Sequence, residues 1–295
     1  MNHQGMQTGS DRLRGIFLLI SAAALWSTSG LGIKWIDWNP MAIAGARSAF
    51  AAAVIWLAFR RSEFRWNKVL LCGGVAYAVM MLTFVAAMKL TTAANAILLQ
   101  YTSPIYVAIL GMIFLHEKPA LQDWLTMAAT GGGMILFFQD QMSEGGMLGN
   151  ILAIASGVAM ATMAVCMRQQ KEGSPFVAVL VGNVLTFFCG LPFMFDSSPG
   201  MGGWAAIAAL GCVQLGLAYV LYSLAIKSVV ALEATIITMI EPILNPIWVF
   251  LLLGEWPGFW ALAGGGVIMT AIAARYVLPA LKPAAVLTEK ESSGQ

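Results

Sequence analysis

Two stretches of the chain are copies of one another. Residues 87–119 read AMKLTTAANAILLQYTSPIYVAILGMIFLHEKP, and residues 225–257 read AIKSVVALEATIITMIEPILNPIWVFLLLGEWP. A gapless shift of 138 positions sets Lys89 on Lys227, Pro104 on Pro242, Glu117 on Glu255 and Pro119 on Pro257, with ten identities in 33 positions. An internal repeat of this length means that the fold is built from two copies of one unit. Every architecture considered for the chain must hold both copies.

The surroundings of the repeat identify its solvent. Charged residues make up 10% of the chain and hydrophobic residues 59%, against about 25% charged and 45–50% apolar in soluble domains. Long apolar runs bounded by charges or turn residues divide into ten segments of roughly 18–24 residues, the length at which a helix crosses a ~30 Å hydrocarbon core. Strand spans would be far shorter. The expected fold is therefore all-α and integral to the membrane, with ten transmembrane helices. The first apolar run continues past the usual signal-peptide length, so it reads as the first helix.

Charge sets the orientation. With the N-terminus cytoplasmic, thirteen Lys and Arg residues face inside, only Lys34 and Lys89 face outside, and Arg47 lies within a helix. This positive-inside bias predicts one orientation with both termini cytoplasmic. Five helices per half turn the second half over, which puts Lys89 outside and its counterpart Lys227 inside. The expected organisation is a cytoplasmic N-terminal tail over 1–14, a first five-helix repeat over 15–140, an inverted second repeat over 147–278 and a cytoplasmic tail over 279–295. Inverted repeats around a midplane site are a construction principle of secondary transporters, because related halves can exchange conformations.

Polar groups inside the spans are the candidate site. Trp26 and Ser27 fall near the middle of the first predicted helix (15–33), either as packed side chains or as a cavity wall. Trp35 and Trp38 read as residues of the outer aromatic belt. Arg47 sits about two turns into the second helix, where a cation is costly unless it snorkels or serves a cavity or its gate. Tyr77 is at mid-depth in the third helix. The fourth (95–115) carries Gln100, Tyr101 and Ser103 beside Pro104, whose missing N–H frees a carbonyl tolerated only where protein or water surrounds it. Tyr219 and Tyr222 lie in the eighth helix and Met160 in the sixth. In the ninth, Thr235, Thr238, Glu241, Asn245 and Trp248 recur at helical spacing beside Pro242. The repeat sets Gln100 against Thr238 and Ser103 against Glu241.

Glu241 has two readings: a polar cap on the proline break, or a group that binds an amine or carries a proton. Gly131 to Gly133 and Gly264 to Gly266 suit close helix packing. Cys72, Cys166, Cys189 and Cys212 lie in predicted helices without metal-ligand spacing, and His3 and His116 are the only histidines. A metal site and a histidine catalyst are therefore disfavoured, and no cofactor is expected. An intramembrane enzyme would need clustered acids, bases or ligands that the spans lack.

These features together resemble the EamA-type transporters of the drug/metabolite transporter superfamily, over 15–278. The carrying motifs are ALW at Ala24 to Trp26, Arg47, the A-x-K-x-T-x-A-x-x-A pattern from Ala87 to Ala96, Pro104, and EKP from Glu117 to Pro119. Lys227, Pro242, Glu255 to Pro257 and the Gly264 to Gly266 run are their second-half counterparts. The resemblance implies two five-helix halves around a central cavity lined mainly by helices one, three, four, six, eight and nine, with helices five and ten peripheral. Its YddG-like branch implies export of aromatic and other neutral amino acids.

The expected activity is secondary export of small metabolites, amino acids first, across the inner membrane by alternating access. The alternative is export of drug-like cations or sugar derivatives. Substrate binding is expected at Trp26, Ser27, Tyr77, Gln100, Tyr101, Ser103, Met160, Tyr219, Tyr222, Glu241 and Asn245, and gating or coupling at Arg47, Pro104, Glu241 and Pro242. The expected partners are a small-molecule substrate, a coupling proton and the lipid bilayer, without nucleic acid. The expected assembly is a monomer or weak homodimer.

Overall fold

A computed structural model describes residues 3–28, 36–63, 66–91, 93–139, 146–195, 197–244, 248, 251 and 258–281. Ten helical segments follow one another. They are α1 (His3–Trp26), α2 (Pro40–Phe59), α3 (Lys68–Leu90), α4 in two pieces (Ala93–Gln100 and Ser103–Leu110, the second running on through Gly111–Leu115), and α5 (Leu121–Phe137). The second half supplies α6 (Met147–Gln169), α7 (Phe176–Gly190), α8 (Gly200–Ala209, continued through Leu210–Leu217 and Ala218–Ala225), α9 (Ala231–Ile237 and the turn Thr238–Ile240), and α10 (Phe259–Ile272 with Ala273–Val277). Among the described residues, seven helices are long and apolar enough to cross a membrane.

Local chemistry sets several helix starts. Asn39 caps α2 by accepting from the Met41 N–H, and Pro40 follows at the first helical position, where its missing donor has no cost. Asn67 caps α3 through the Leu70 N–H, while its amide donates to Gln170 Oε1 at the end of α6. One difference from expectation lies at the N-terminus. Residues 3–14, assigned above to a tail, continue α1, and Arg12 pairs with Glu233 of α9 at 2.6 Å. A polar run whose cation finds a carboxylate need not leave the helix.

The two halves meet in pairs that map onto each other. The principal neighbours are α3 with α6 and α8 with α1, α3 with α7 and α8 with α2, α4 with α6 and α9 with α1. Exchanging each helix with the one five places along converts the first member of each couple into the second. The α2–α7 and α5–α10 contacts convert into themselves. This is the pattern expected of two related halves about a two-fold axis.

The α5–α10 contact separates the glycines of the two triplets. A Cβ on Gly133 would lie 2.7 Å from Ile268 Cγ1 and 3.0 Å from the Gly264 carbonyl, and one on Gly264 would strike the backbone of Gly133 and Phe137. Gly131, Gly132 and Gly266 have nothing within 4 Å. Gly264→Ala is expected to lower the midpoint of thermal unfolding in detergent by several degrees, whereas Gly132→Ala leaves it unchanged or raises it slightly. Melting curves of the two purified variants check this.

The turn after α4 carries a conformational cost. His116 has φ 57°, a left-handed value that costs a side chain with a Cβ about 1–2 kcal/mol. The matching position in the second copy is Gly254, the residue type that adopts such a value freely.

Candidate functional site

The repeat prolines shape the centre of the bundle. Pro104 has no N–H, so the Gln100 carbonyl four residues earlier lacks a helical donor. The helix breaks there, leaving Tyr101 and Thr102 as a turn between the two pieces of α4. Gly157 of α6 lies against the released carbonyl, and a Cβ there would stand 2.8 Å from it. The Gln100 amide donates to Ser156 Oγ at 2.7 Å, and Ser156 donates to the Met80 carbonyl at 2.9 Å. One kink thus ties α4, α6 and α3 together. In α9 the backbone tightens over Thr238–Ile240, immediately before Glu241 and Pro242. The Tyr101 hydroxyl then donates to Glu241 Oε2 at 2.8 Å, joining the two breaks.

Around this junction lies a cavity of about 430 Å³, within the range of small-molecule sites. One wall is aromatic: Trp26 stands 4.9 Å from Tyr219 and 5.7 Å from Tyr222 between ring centroids. Another is soft, formed by Met80, Met81, Met160 and Met163. Ile36, Trp38 and Pro40 border it toward one end of the bundle. The polar lining is confined to Arg47, Gln100, Tyr101, Gln214, Tyr219, Tyr222 and Glu241.

Arg47 does not snorkel. It is 7% exposed, and its Nη2 donates to Gln214 Oε1 at 2.8 Å. Gln214 in turn donates to the Trp26 carbonyl at 3.3 Å. This α2–α8 bond has a counterpart at the α7–α3 contact, where the Tyr77 hydroxyl donates to Asn183 Oδ1 at 3.2 Å. Tyr77 and Asn183 are fully buried, whereas Arg47 and Gln214 line the cavity. Similar interfaces therefore carry different chemistry.

Of the residues singled out from the sequence, Trp26, Arg47, Gln100, Tyr101, Met160, Tyr219, Tyr222 and Glu241 meet at this cavity. Three others do not line it. Ser27 is buried, donating to the Ala24 carbonyl and accepting from Trp248 Nε1 at 2.7 Å. Tyr77 stands behind Tyr219, with ring centroids 5.1 Å apart. Ser103 is fully buried with no hydrogen-bond partner for its hydroxyl among the described residues. The Tyr101–Thr102 turn lies between the two pieces of α4 and resets the helical phase, so Tyr101 faces Glu241 while Ser103 does not line the cavity. The pairing of Ser103 with Glu241 is therefore replaced by Tyr101 with Glu241.

Pro104 and Pro242 act through the backbone, and Asn245 lies outside the described residues, as does Trp35. Thr235 and Thr238 bond to carbonyls of their own helix. Trp38 is not a belt residue: it is buried, donates to the Ser197 carbonyl at 2.9 Å and packs on Trp204. The sequence reading missed Met81 and Phe84 as lining residues and left Gln214 out of the candidate site. Gln214 carried a usable signal, being a polar side chain in an apolar span. The lining also adds α2 to the helices expected there.

The far end of the bundle is held by ion pairs. Arg168 of α6 donates from Nε to Glu117 Oε1 at 2.8 Å and from Nη1 to the Ile226 and Lys227 carbonyls, both at 3.0 Å. It thereby clamps the loops that follow α4 and α8. Arg275 pairs with Asp123 at 2.9 Å, and Arg12 with Glu233. Glu117, Asp123 and Glu233 border a smaller pocket of about 200 Å³, together with Val107 and Leu232. Among the described residues no three His, Cys, Asp or Glu side chains are grouped to hold a metal ion.

Comparison with known proteins places this geometry. A model of the EamA-like transporter family matches residues 13–139 and again 147–276. An uncharacterized transporter of Archaeoglobus fulgidus is 24% identical over 255 residues, covering 86% of this chain and 93% of that protein. The pseudopaline exporter CntI of Pseudomonas aeruginosa is 24% identical over 237 residues, covering 76% of this chain and 82% of its own. A solved crystal structure superposes with a TM-score of 0.78 at 18% identity, over 91% of this chain and 99% of the other, which supports the fold.

Proposed function

The chain belongs to the EamA-like transporter family, multi-pass membrane transporters and not enzymes, and we propose that it exports amino acids, aromatic and other neutral ones, across the inner membrane by alternating access. Both termini are cytoplasmic in this reading, so the Trp38 end faces outward and the Glu117 end inward. The observation that carries the proposal is the asymmetry of closure. A cavity with an aromatic wall and two charged side chains reaches the Trp38 end, while three arginine–carboxylate pairs hold the opposite end. The described conformation then corresponds to the outward-open state. The Glu241 carboxylate accepts the ammonium group of the substrate or a coupling proton.

A second reading, export of a cation or of a larger polar metabolite, draws on Glu241 and on the likeness to an exporter of pseudopaline. Uptake into proteoliposomes separates the two. A screen across amino acids, with and without a proton gradient, should give saturable uptake of aromatic and branched neutral amino acids. Uptake of organic cations or sugar derivatives without any amino-acid transport would favour the second reading and remove the first.

A further inference from the structure

Among the described residues Arg47 is a cation without a counterion. Among the described residues its one side-chain hydrogen bond is to a neutral amide, that of Gln214, and Nε has no partner. No carboxylate of the described residues is recorded in an ion pair with it, and the cavity's other charged group, Glu241, is bonded to Tyr101 instead. A guanidinium inside a membrane span is unfavourable unless a compensating charge reaches it. The rest of the lining near it is apolar or aromatic: Ile43 and Ala44 one turn away on α2, and Trp26, Leu215 and Tyr219 opposite. The Trp26 indole N–H is likewise unpartnered among the described residues.

We propose that Arg47 is the anchor for a carboxylate on the transported molecule, with Gln214 fixing the guanidinium through Nη2 and leaving its other N–H groups to the ligand. The proposal rests on the transport reading above and gives it a substrate class, a carboxylic acid. For an amino acid it also assigns a polarity: carboxylate to Arg47, ammonium to Glu241, and side chain among Trp26, Tyr219, Tyr222 and the methionines. Arg47 can pair with a carboxylate through two parallel bonds between opposite charges, a bidentate geometry that an amide or an amine cannot match. Gln214 is a positioning residue in this scheme. The counterpart interface, where Asn183 meets Tyr77, is sealed and offers no charge, so the site has one such anchor.

The test is a binding series on the purified full-length protein in nanodiscs, using phenylalanine, phenylalaninamide, phenethylamine and 3-phenylpropionate. The wild type is expected to bind phenylalanine most tightly and 3-phenylpropionate measurably. Arg47→Gln should weaken both carboxylates about ten-fold or more and leave phenethylamine unchanged. Arg47→Lys should restore part of the loss, and size-exclusion profiles should match the wild type. If phenylalaninamide binds as tightly as phenylalanine, or Arg47→Gln weakens every ligand equally, the anchor is wrong while amino-acid transport stands. If 3-phenylpropionate binds through Arg47 but no amino acid binds, the anchor stands and the amino-acid reading falls. Absence of binding across the whole series overturns both.

Discussion

Glu241→Gln is expected to lower initial rates of the proposed amino-acid transport about ten-fold or more, while the protein still inserts and folds. Glutamine is nearly isosteric, and its carbonyl oxygen accepts the Tyr101 hydroxyl as Glu241 Oε2 does now at 2.8 Å. The link between the α4 and α9 breaks therefore persists. What is lost is the negative charge, in a cavity whose other charged side chain is the Arg47 guanidinium. A charge-assisted bond to an ammonium group is roughly twice as strong as a neutral one, and a glutamine cannot take up a proton. Transport by the variant should also lose its dependence on pH. Rates at or near wild type, with the pH profile intact, would remove Glu241 from the mechanism and leave it as a cap on the Pro242 break.

Arg168→Gln is the second change with a large expected effect. One side chain holds the Glu117 carboxylate and the carbonyls of Ile226 and Lys227, so its loss frees the loops after α4 and α8 together. Among the described residues Glu117 would retain only its 3.3 Å contact with the Ala231 N–H. Removing one partner of a buried ion pair costs about 3–5 kcal/mol, and because Glu117 is partly exposed a value of roughly 1–3 kcal/mol is expected. That shifts an equilibrium between two states by about 5- to 150-fold. The variant should populate an inward-open form, seen as faster labelling of a cysteine at Val107 from the cytoplasmic side and as slower net transport. Unchanged labelling would mean that the clamp contributes to folding without setting the gate.

Much of the fold was legible because membrane spans announce themselves by length and the repeat by identity. Ten helices, the break at Pro104 and close packing at the glycine triplets follow from apolar runs, a missing N–H and glycines, whereas the pairing of α5 with α10 does not. The limits of that reading are physical. Helical periodicity says which residues share a face, but after a proline break the phase is reset. Ser103, one residue before Pro104, therefore turned away while Tyr101 turned in. The alignment of the two copies also paired Ser103 with Glu241, yet related positions in two halves need not touch.

Depth and hydrophobicity misplaced Trp38 in the lipid belt, because a tryptophan at a helix end packs equally well on Trp204 once α2 and α8 approach. Arg47 was visible as a misplaced cation, but its amide partner was not. Gln214 is 167 residues away in sequence, and only the α2–α8 contact brings the two together. Tyr77 was misread for the related reason that mid-depth alone does not separate a cavity wall from the layer behind it.

The central claim is that the two ends of one site open in alternation, and accessibility of both ends measures it most directly. In a background lacking Cys72, Cys166, Cys189 and Cys212, a cysteine replacing Phe84 reports the outer cavity and one replacing Val107 reports the pocket beneath the Arg168 clamp. A membrane-impermeant maleimide is applied to vesicles of each orientation with and without saturating substrate. The account predicts that without substrate Phe84→Cys labels and Val107→Cys does not, and that substrate slows the first while speeding the second. Labelling of both positions that rises or falls together would contradict it.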